Sequence, residues 1–67
     1  MTNEAEGFTE FKFWLKPDQA MALAQFLKRT GHSDCEKLAT SSDEAYLMMD
    51  GVNAVMAALA HEGFNPR

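Results

Sequence analysis

The fold of this chain is predicted mainly from one stretch, Phe8-Thr9-Glu10-Phe11-Lys12-Phe13-Trp14-Leu15. Apolar and polar residues alternate along most of it, which is the pattern of a β-strand with one buried face. The residues predicted to face the core are Thr9, Phe11, Phe13 and Leu15. A strand needs partners for its backbone hydrogen-bonding groups, and no other segment clearly reads as a second strand. We therefore predict that it pairs with its own copy in a homodimer, and a short strand at Phe64–Asn65 is the alternative.

The residues after this stretch predict a first helix. Lys16-Pro17-Asp18 is typical of a helix start, because proline suits the first helical position and an acidic side chain favours the positive end of the helix dipole. The helix is expected to reach about Thr30, with Gly31 ending it. Its expected core stripe consists of Ala20, Leu23, Phe26 and Leu27, flanked by Met21 and Ala24.

Two serine residues predict where the next helices begin. Ser33 and Glu36 have the spacing of a capping box, in which a serine and a glutamate three residues later satisfy each other's backbone N–H groups. This predicts a short helix that reaches about Ala39. Ser41 and Glu44 repeat the spacing and predict the start of the last helix.

The last helix is expected to be long and to end at about Glu62. Gly63 suits the left-handed residue that follows a helix, and Phe64 would then fold back on Leu59. The expected core stripe consists of Ala45, Met48, Met49, Val52, Val55, Met56 and Leu59. Gly51 interrupts the helix at a cost of about 1 kcal/mol relative to alanine, so we expect another element to approach closely there.

These elements make one small α+β domain, in the order β-α-α-α, over residues 8–67, after a flexible tail at residues 1–7. A domain of this size buries only about 60% of the surface of its unfolded chain, so its stability is marginal without a further constraint. Cys35 is the single cysteine of the chain and cannot form an internal disulfide. Oligomerisation is the remaining constraint, in agreement with the unpaired strand.

The chain is acidic, with a formal net charge of −4 at pH 7. The negative charge is concentrated in residues 34–50, and this acidity argues against a general nucleic-acid binder. The acidic residues predicted to bind a partner protein with a basic surface are Glu36, Asp43, Glu44 and Asp50. The alternative reading is a small dimeric nucleic-acid-binding regulator, whose phosphate contacts would be Lys12, Lys16, Lys28 and Arg29.

Candidate chemistry is sparse. His32, Cys35 and His61 provide three zinc-ligand types, but a structural zinc site normally has four ligands in recognisable pairs. A Cys35–histidine pair is also weak as a nucleophile, because the carboxylates on either side of Cys35 disfavour a negatively charged thiolate. We therefore predict a non-enzymatic protein without catalytic residues, metal or cofactor.

Trp14 is the most promising contact residue. It lies on the predicted strand face opposite the core residues, with Phe8 and Lys12. An exposed indole beside an unpaired strand edge suits the centre of an interface, whereas burial by the last helix of the same or a paired subunit is the competing interpretation. We predict that Phe8, Lys12 and Trp14 form a dimer or edge contact.

Three segments resemble small uncharacterised proteobacterial proteins that are often carried on phages and plasmids: Asp18–Arg29, Asp43–Met48 and Gly63–Arg67. That group has no assigned activity. The size and acidity of the chain are also similar to those of anti-CRISPR proteins, which commonly occupy a nucleic-acid-binding surface of their target. This likeness implies a phage-type inhibitor of a host effector complex, without transferring any functional residue.

The expected location is the cytoplasm of a bacterial host cell. The N-terminus lacks a secretory signal pattern, and no run approaches the 18 or so apolar residues of a membrane span.

Overall fold

The structure is a computed structural model, and it describes residues 7–66. It consists of three helices: α1 (Pro17–Arg29), α2 (His32–Leu38) and α3 (Ser42–His61). Within this range there is no β-strand, either at residues 8–15 or at Phe64–Asn65. The predicted α+β fold is therefore wrong, because the described part of the chain is all helical. The tail predicted at residues 1–7 lies outside the described residues except for Gly7.

The stretch at residues 8–15, hereafter the aromatic segment, has no regular secondary structure. Its predicted core face is also wrong: Thr9, Phe11, Phe13 and Leu15 are all exposed. The physical reason is that a strand forms only when neighbouring strands take up its backbone groups, and a side-chain pattern does not supply such a neighbour. No strand-type backbone hydrogen bond from the segment is present within residues 7–66.

Helix α1 begins where the sequence predicts. Pro17 is its first residue, and the backbone N–H of Lys16 donates to Gln19 Oε1 at 2.9 Å. The buried residues of α1 are Ala20, Ala24 and Leu27, which recur at helical spacing. Phe26 is exposed, contrary to the prediction, because it lies about 100° around the helix from Leu27 and falls outside this narrow stripe.

Helix α2 begins earlier than predicted, at His32, and Ser33 lies inside it. Gly31 is the residue before its first turn, and the Gly31 N–H donates to Asp34 Oδ2 at 2.8 Å. Gly31 does follow α1, but its φ of −111° is not left-handed. The capping box predicted for Ser33 and Glu36 is therefore absent, and only its carboxylate half is made, by Asp34 to the Gly31 N–H.

Helix α3 matches its prediction at both ends. Ser41 Oγ accepts a hydrogen bond from the Glu44 N–H at 3.1 Å. At the other end Gly63 is left-handed, with φ of 97°, and the Phe64 N–H donates to the Leu59 carbonyl at 2.9 Å. This is the Schellman arrangement, which satisfies the last carbonyls of a helix. All seven residues of the predicted stripe are buried or half-buried.

The core lies between α1 and α3. Ala20, Ala24 and Leu27 pack with Leu59, and half-buried side chains surround them, among them Val55, Met56 and Phe64. Among residues 7–66 the other buried apolar side chains are Cys35 and Ala45. Helix α3 contacts both of the other helices. The described core is thus small and contains no aromatic side chain that is fully buried.

Gly51 differs from its prediction. A Cβ atom added to it would meet nothing within 4 Å, so no close approach explains this glycine. At the end of the described chain, Lys28 Nζ donates to the Pro66 carbonyl at 3.0 Å and so connects the C-terminal residues to α1. None of the three helices is long and apolar enough to span a membrane.

Candidate interaction surfaces

An apolar groove of about 570 Å³ lies between the aromatic segment and the second half of α3. One wall consists of residues 11–15, and α3 contributes Val55, Ala58 and Leu59. Phe64, placed by the Schellman turn, also lines the groove. The groove is therefore bordered by the end of α3, where the Schellman turn pairs the carbonyls of Leu59 and Ala60.

The aromatic side chains beside this groove are strongly exposed. Phe11 is 82% exposed and Trp14 is 97% exposed, although both line the groove. Phe8 and Phe13 are exposed as well. Four exposed aromatic rings within seven residues, three of them lining the groove, are a concentration of apolar surface of the kind that marks an interaction site. Trp14 is therefore not buried by the last helix of the same chain, and its role as a contact residue stays a prediction.

A second surface lies on the side of α3 that faces away from Leu59. Asp43 and Asp50 are seven residues apart, which places them on one helix face at a separation of about 10 Å. Tyr46 and Leu47 lie between them at neighbouring positions of the helix surface. Leu47 is 68% exposed and Tyr46 is 61% exposed.

Helix α2 adds a third carboxylate to this surface. The ring of His32 packs against that of Tyr46 with a centroid separation of 4.7 Å. His32 Nδ1 in turn lies 3.8 Å from Glu36 Oε1. Through these two contacts Glu36 lies on the side of α2 that adjoins Tyr46. The acidic face is defined here as Glu36, Asp43, Tyr46, Leu47 and Asp50.

Glu44, the fourth predicted acidic contact, has a local structural role. Its Oε1 accepts hydrogen bonds from the Thr40 N–H at 2.6 Å and from the Thr40 hydroxyl at 3.0 Å. The Thr40 N–H and, secondarily, its hydroxyl lower the pKa of Glu44 below the usual value of 4.5, while burial acts weakly in the opposite direction. Glu44 thus stabilises the start of α3, and we do not include it in the acidic face.

The basic residues of the alternative function do not lie together. Lys16 precedes α1 whereas Lys28 and Arg29 are in its last turn, and a 13-residue helix separates its ends by about 20 Å. Lys28 also donates to the Pro66 carbonyl, and Arg29 Nη2 donates to Gln25 Oε1 at 3.3 Å. Lys12 is four residues before Lys16, and Lys28 adjoins Arg29, so helix α1 separates Lys16 from the Lys28–Arg29 pair and the four cations do not make one phosphate-binding patch.

The predicted zinc-ligand types are also separated. His32 and Cys35 lie in α2, where Cys35 is buried, whereas the exposed His61 is at the end of α3 beside Glu62. Among residues 7–66 there is no group of three histidine, cysteine or acidic side chains arranged to hold a metal ion.

The sequence analysis missed the apolar centre of the acidic face and the α3 wall of the groove. Tyr46 and Leu47 fall outside the core stripe of α3, and an apolar residue on the outer face of an amphipathic helix was the available signal. Val55 and Leu59 were assigned to the core alone, because a helical pattern does not show which core residues border an opening.

Comparison with known proteins gives a family without a known activity. A family model described as "Family of unknown function (DUF7706)" matches residues 1–67. Neither a curated protein nor a solved structure matches the chain.

Proposed function

Since the chain belongs to the DUF7706 family, whose function is unknown, we propose a function from the physical properties of its surfaces. The protein is a non-enzymatic interaction protein that binds a partner with a basic surface through its acidic face. The partner surface is one that otherwise holds nucleic acid, as in a CRISPR effector complex. In that role the protein is an inhibitor of the phage type.

The observation that supports this proposal is the composition of the acidic face. Asp43 and Asp50 lie before and after two exposed apolar side chains of α3, Tyr46 and Leu47, and Glu36 is connected to Tyr46 through His32. Protein interfaces typically have an apolar centre enriched in aromatic residues and a polar rim. Carboxylates about 10 Å apart on one helix face attract basic residues that otherwise contact phosphates.

The net charge of the chain supports the same choice of partner. At −4 it favours association with basic surfaces and disfavours direct contact with nucleic acid. The scattered positions of Lys12, Lys16, Lys28 and Arg29 act in the same direction. Electrostatic attraction of this kind mainly raises the association rate and makes it sensitive to salt.

A plasmid-interference assay tests the proposal. The protein is expressed in bacteria that carry a CRISPR effector, and transformation by a targeted plasmid is counted across effector types. We expect protection of the plasmid in at least one type, and we expect the E36Q/D43N/D50N variant to lose most of it. With that purified effector, the protein should compete with target DNA, and the competition should weaken as the salt concentration rises.

The matched control is E4Q/E6Q/E10Q, which removes the same number of negative charges from the N-terminal part of the chain. We expect this control to protect the plasmid as well as the original sequence does. Failure to protect against every effector tested, or equal protection by both triple variants, would contradict the proposal. A gel shift with duplex DNA at low salt tests the nucleic-acid-binding alternative, for which we expect no retarded band.

A further inference from the structure

We propose that the aromatic segment and its groove form a self-complementary surface through which two copies of this chain associate. In a symmetric dimer the same patch is used by both copies. The exposed rings of one copy would then cover the groove and the rings of the other. This inference concerns a different surface from the acidic face and does not depend on the proposed function.

The exposed aromatic area matches what a dimer needs. Phe8, Phe11, Phe13 and Trp14 are 80%, 82%, 60% and 97% exposed. Because an aromatic side chain can bury about 150–250 Å², these four expose about 500–800 Å² in each copy. A specific interface of standard size buries about 800 Å² on each partner. The four rings therefore supply most of such an interface before the groove walls are counted.

The charges around the groove also suit a second copy. Lys12 and Glu62 both line it, so the surface carries one cation and one anion. Two copies brought together across a two-fold axis can place Lys12 of each near Glu62 of the other. A groove with charge of one sign would instead repel its own copy and favour a partner of opposite charge.

The small core gives the second copy an energetic role. Residues 7–66 contain six buried apolar side chains, and three of these belong to alanine. Domains of this length are marginal in stability unless disulfides, metals or oligomerisation add to the core. Cys35 is the single cysteine of the chain, so an internal disulfide does not contribute. Packing of aromatic rings between two copies supplies the missing apolar burial.

This association differs from the strand pairing expected from the sequence, because residues 8–15 do not form a strand in the structure. It depends on side chains rather than on a backbone ladder. Trp14 is its expected centre, because tryptophan is enriched among the residues that dominate binding energy.

Trp14 also provides the measurement, since it is the single tryptophan of the chain. Its emission is recorded over about a hundredfold range of protein concentration, with the mass measured by light scattering in parallel. We expect a dimer at high concentration, an emission shift to shorter wavelength as it forms, and weaker quenching by iodide. The proposal would be overturned if the chain stayed monomeric over the whole concentration range. It would also be overturned if a dimer formed in which the emission and the iodide quenching of Trp14 were the same as in the monomer.

The variant Phe11→Glu retains Trp14 as the fluorescent probe and places a negative charge in the proposed dimer surface. We expect it to raise the dimer dissociation constant about tenfold or more while its helical circular dichroism is retained. Leu47→Glu makes the same change on the acidic face and should leave the dissociation constant nearly unchanged. Dissociation by the Leu47 variant but not by the Phe11 variant would assign the dimer to the other surface and overturn the proposal. Should Phe11→Glu lose its helices, the Trp14 quenching result of the original sequence decides.

Discussion

The aromatic segment and helix α3 are both rich in apolar residues, yet they use them in opposite ways. In α3 the apolar residues form a stripe that is buried or half-buried against α1 and α2. In the aromatic segment the rings are exposed. The difference follows from the backbone, because a helix satisfies its hydrogen bonds within itself whereas an extended segment depends on neighbours. Apolar side chains alone therefore do not produce regular secondary structure in this chain.

The sharpest test of this comparison replaces one apolar side chain in each region. Leu59→Ala removes a core side chain where α3 packs on α1, and we expect a loss of about 2–5 kcal/mol in the free energy of unfolding. Phe11→Ala should cost less than about 0.5 kcal/mol, because its ring is exposed. Urea unfolding followed by circular dichroism measures both, at a concentration low enough to keep the chain monomeric. Equal losses for the two variants would mean that the aromatic segment belongs to the core of the single chain.

The two ends of α3 were predictable because each is specified by residues a few positions apart. Ser41 with Glu44, and Gly63 with Phe64, make hydrogen bonds over three to five residues, so a local pattern is sufficient. The aromatic segment was not predictable in this way. Its alternation of side chains describes a strand, but whether a partner exists is a property of the whole fold or of a second molecule.

The acidic face was partly predictable, because part of it follows from a local sequence pattern. Asp43 and Asp50 are related by helical spacing, which the sequence contains. Glu36 joins them only through the packing of His32 on Tyr46, a contact between two helices. The hydrogen bond between Glu44 and Thr40 was not predictable, because a sequence shows a carboxylate but not the group that it contacts, and partner binding by Glu44 stays a prediction.

The start of α3 provides the next test. Ser41→Ala removes the oxygen that accepts the Glu44 N–H, and we expect a loss of about 1 kcal/mol in the free energy of unfolding. Ser42→Ala is the matched control, because Ser42 is the first residue of the helix and is exposed. We expect its effect to stay within about 0.5 kcal/mol. Similar losses of stability in both variants would contradict the conclusion that local residues determine where α3 begins, on which the comparison depends.

The middle of α3 contains a residue that weakens it without an evident packing reason. Gly51→Ala should stabilise the protein by about 0.5–1 kcal/mol, because Gly51 is in a helix interior and an added Cβ meets nothing within 4 Å. Gly63→Ala should destabilise, since the φ of Gly63 is 97°. The unfolding temperature of each variant shows whether the substitution stabilises or destabilises the protein. Destabilisation by Gly51→Ala would show that another molecule approaches α3 at this position.

The smallest expected effect concerns acid stability at the same helix start. Hydrogen bonds from Thr40 lower the pKa of Glu44 in the folded chain below its usual value of 4.5. The unfolded state therefore binds this proton more readily, so the stabilisation is present above pH 4.5 and is lost as the pH falls through the lowered pKa. Glu44→Gln should remove this part of the acid dependence of the unfolding temperature.

Asp50→Asn is the matched control for that measurement, because it removes a carboxylate from the same helix without touching Thr40. We expect the control to keep the acid-dependent decrease that Glu44 contributes. If the two variants show the same pH profile, the Thr40 contact does not order the start of α3 in solution. The start of α3 would then depend on the Ser41 cap and on packing against α2. Its contrast with the aromatic segment would lie in that one remaining side-chain cap and in the backbone hydrogen bonds of the helix itself.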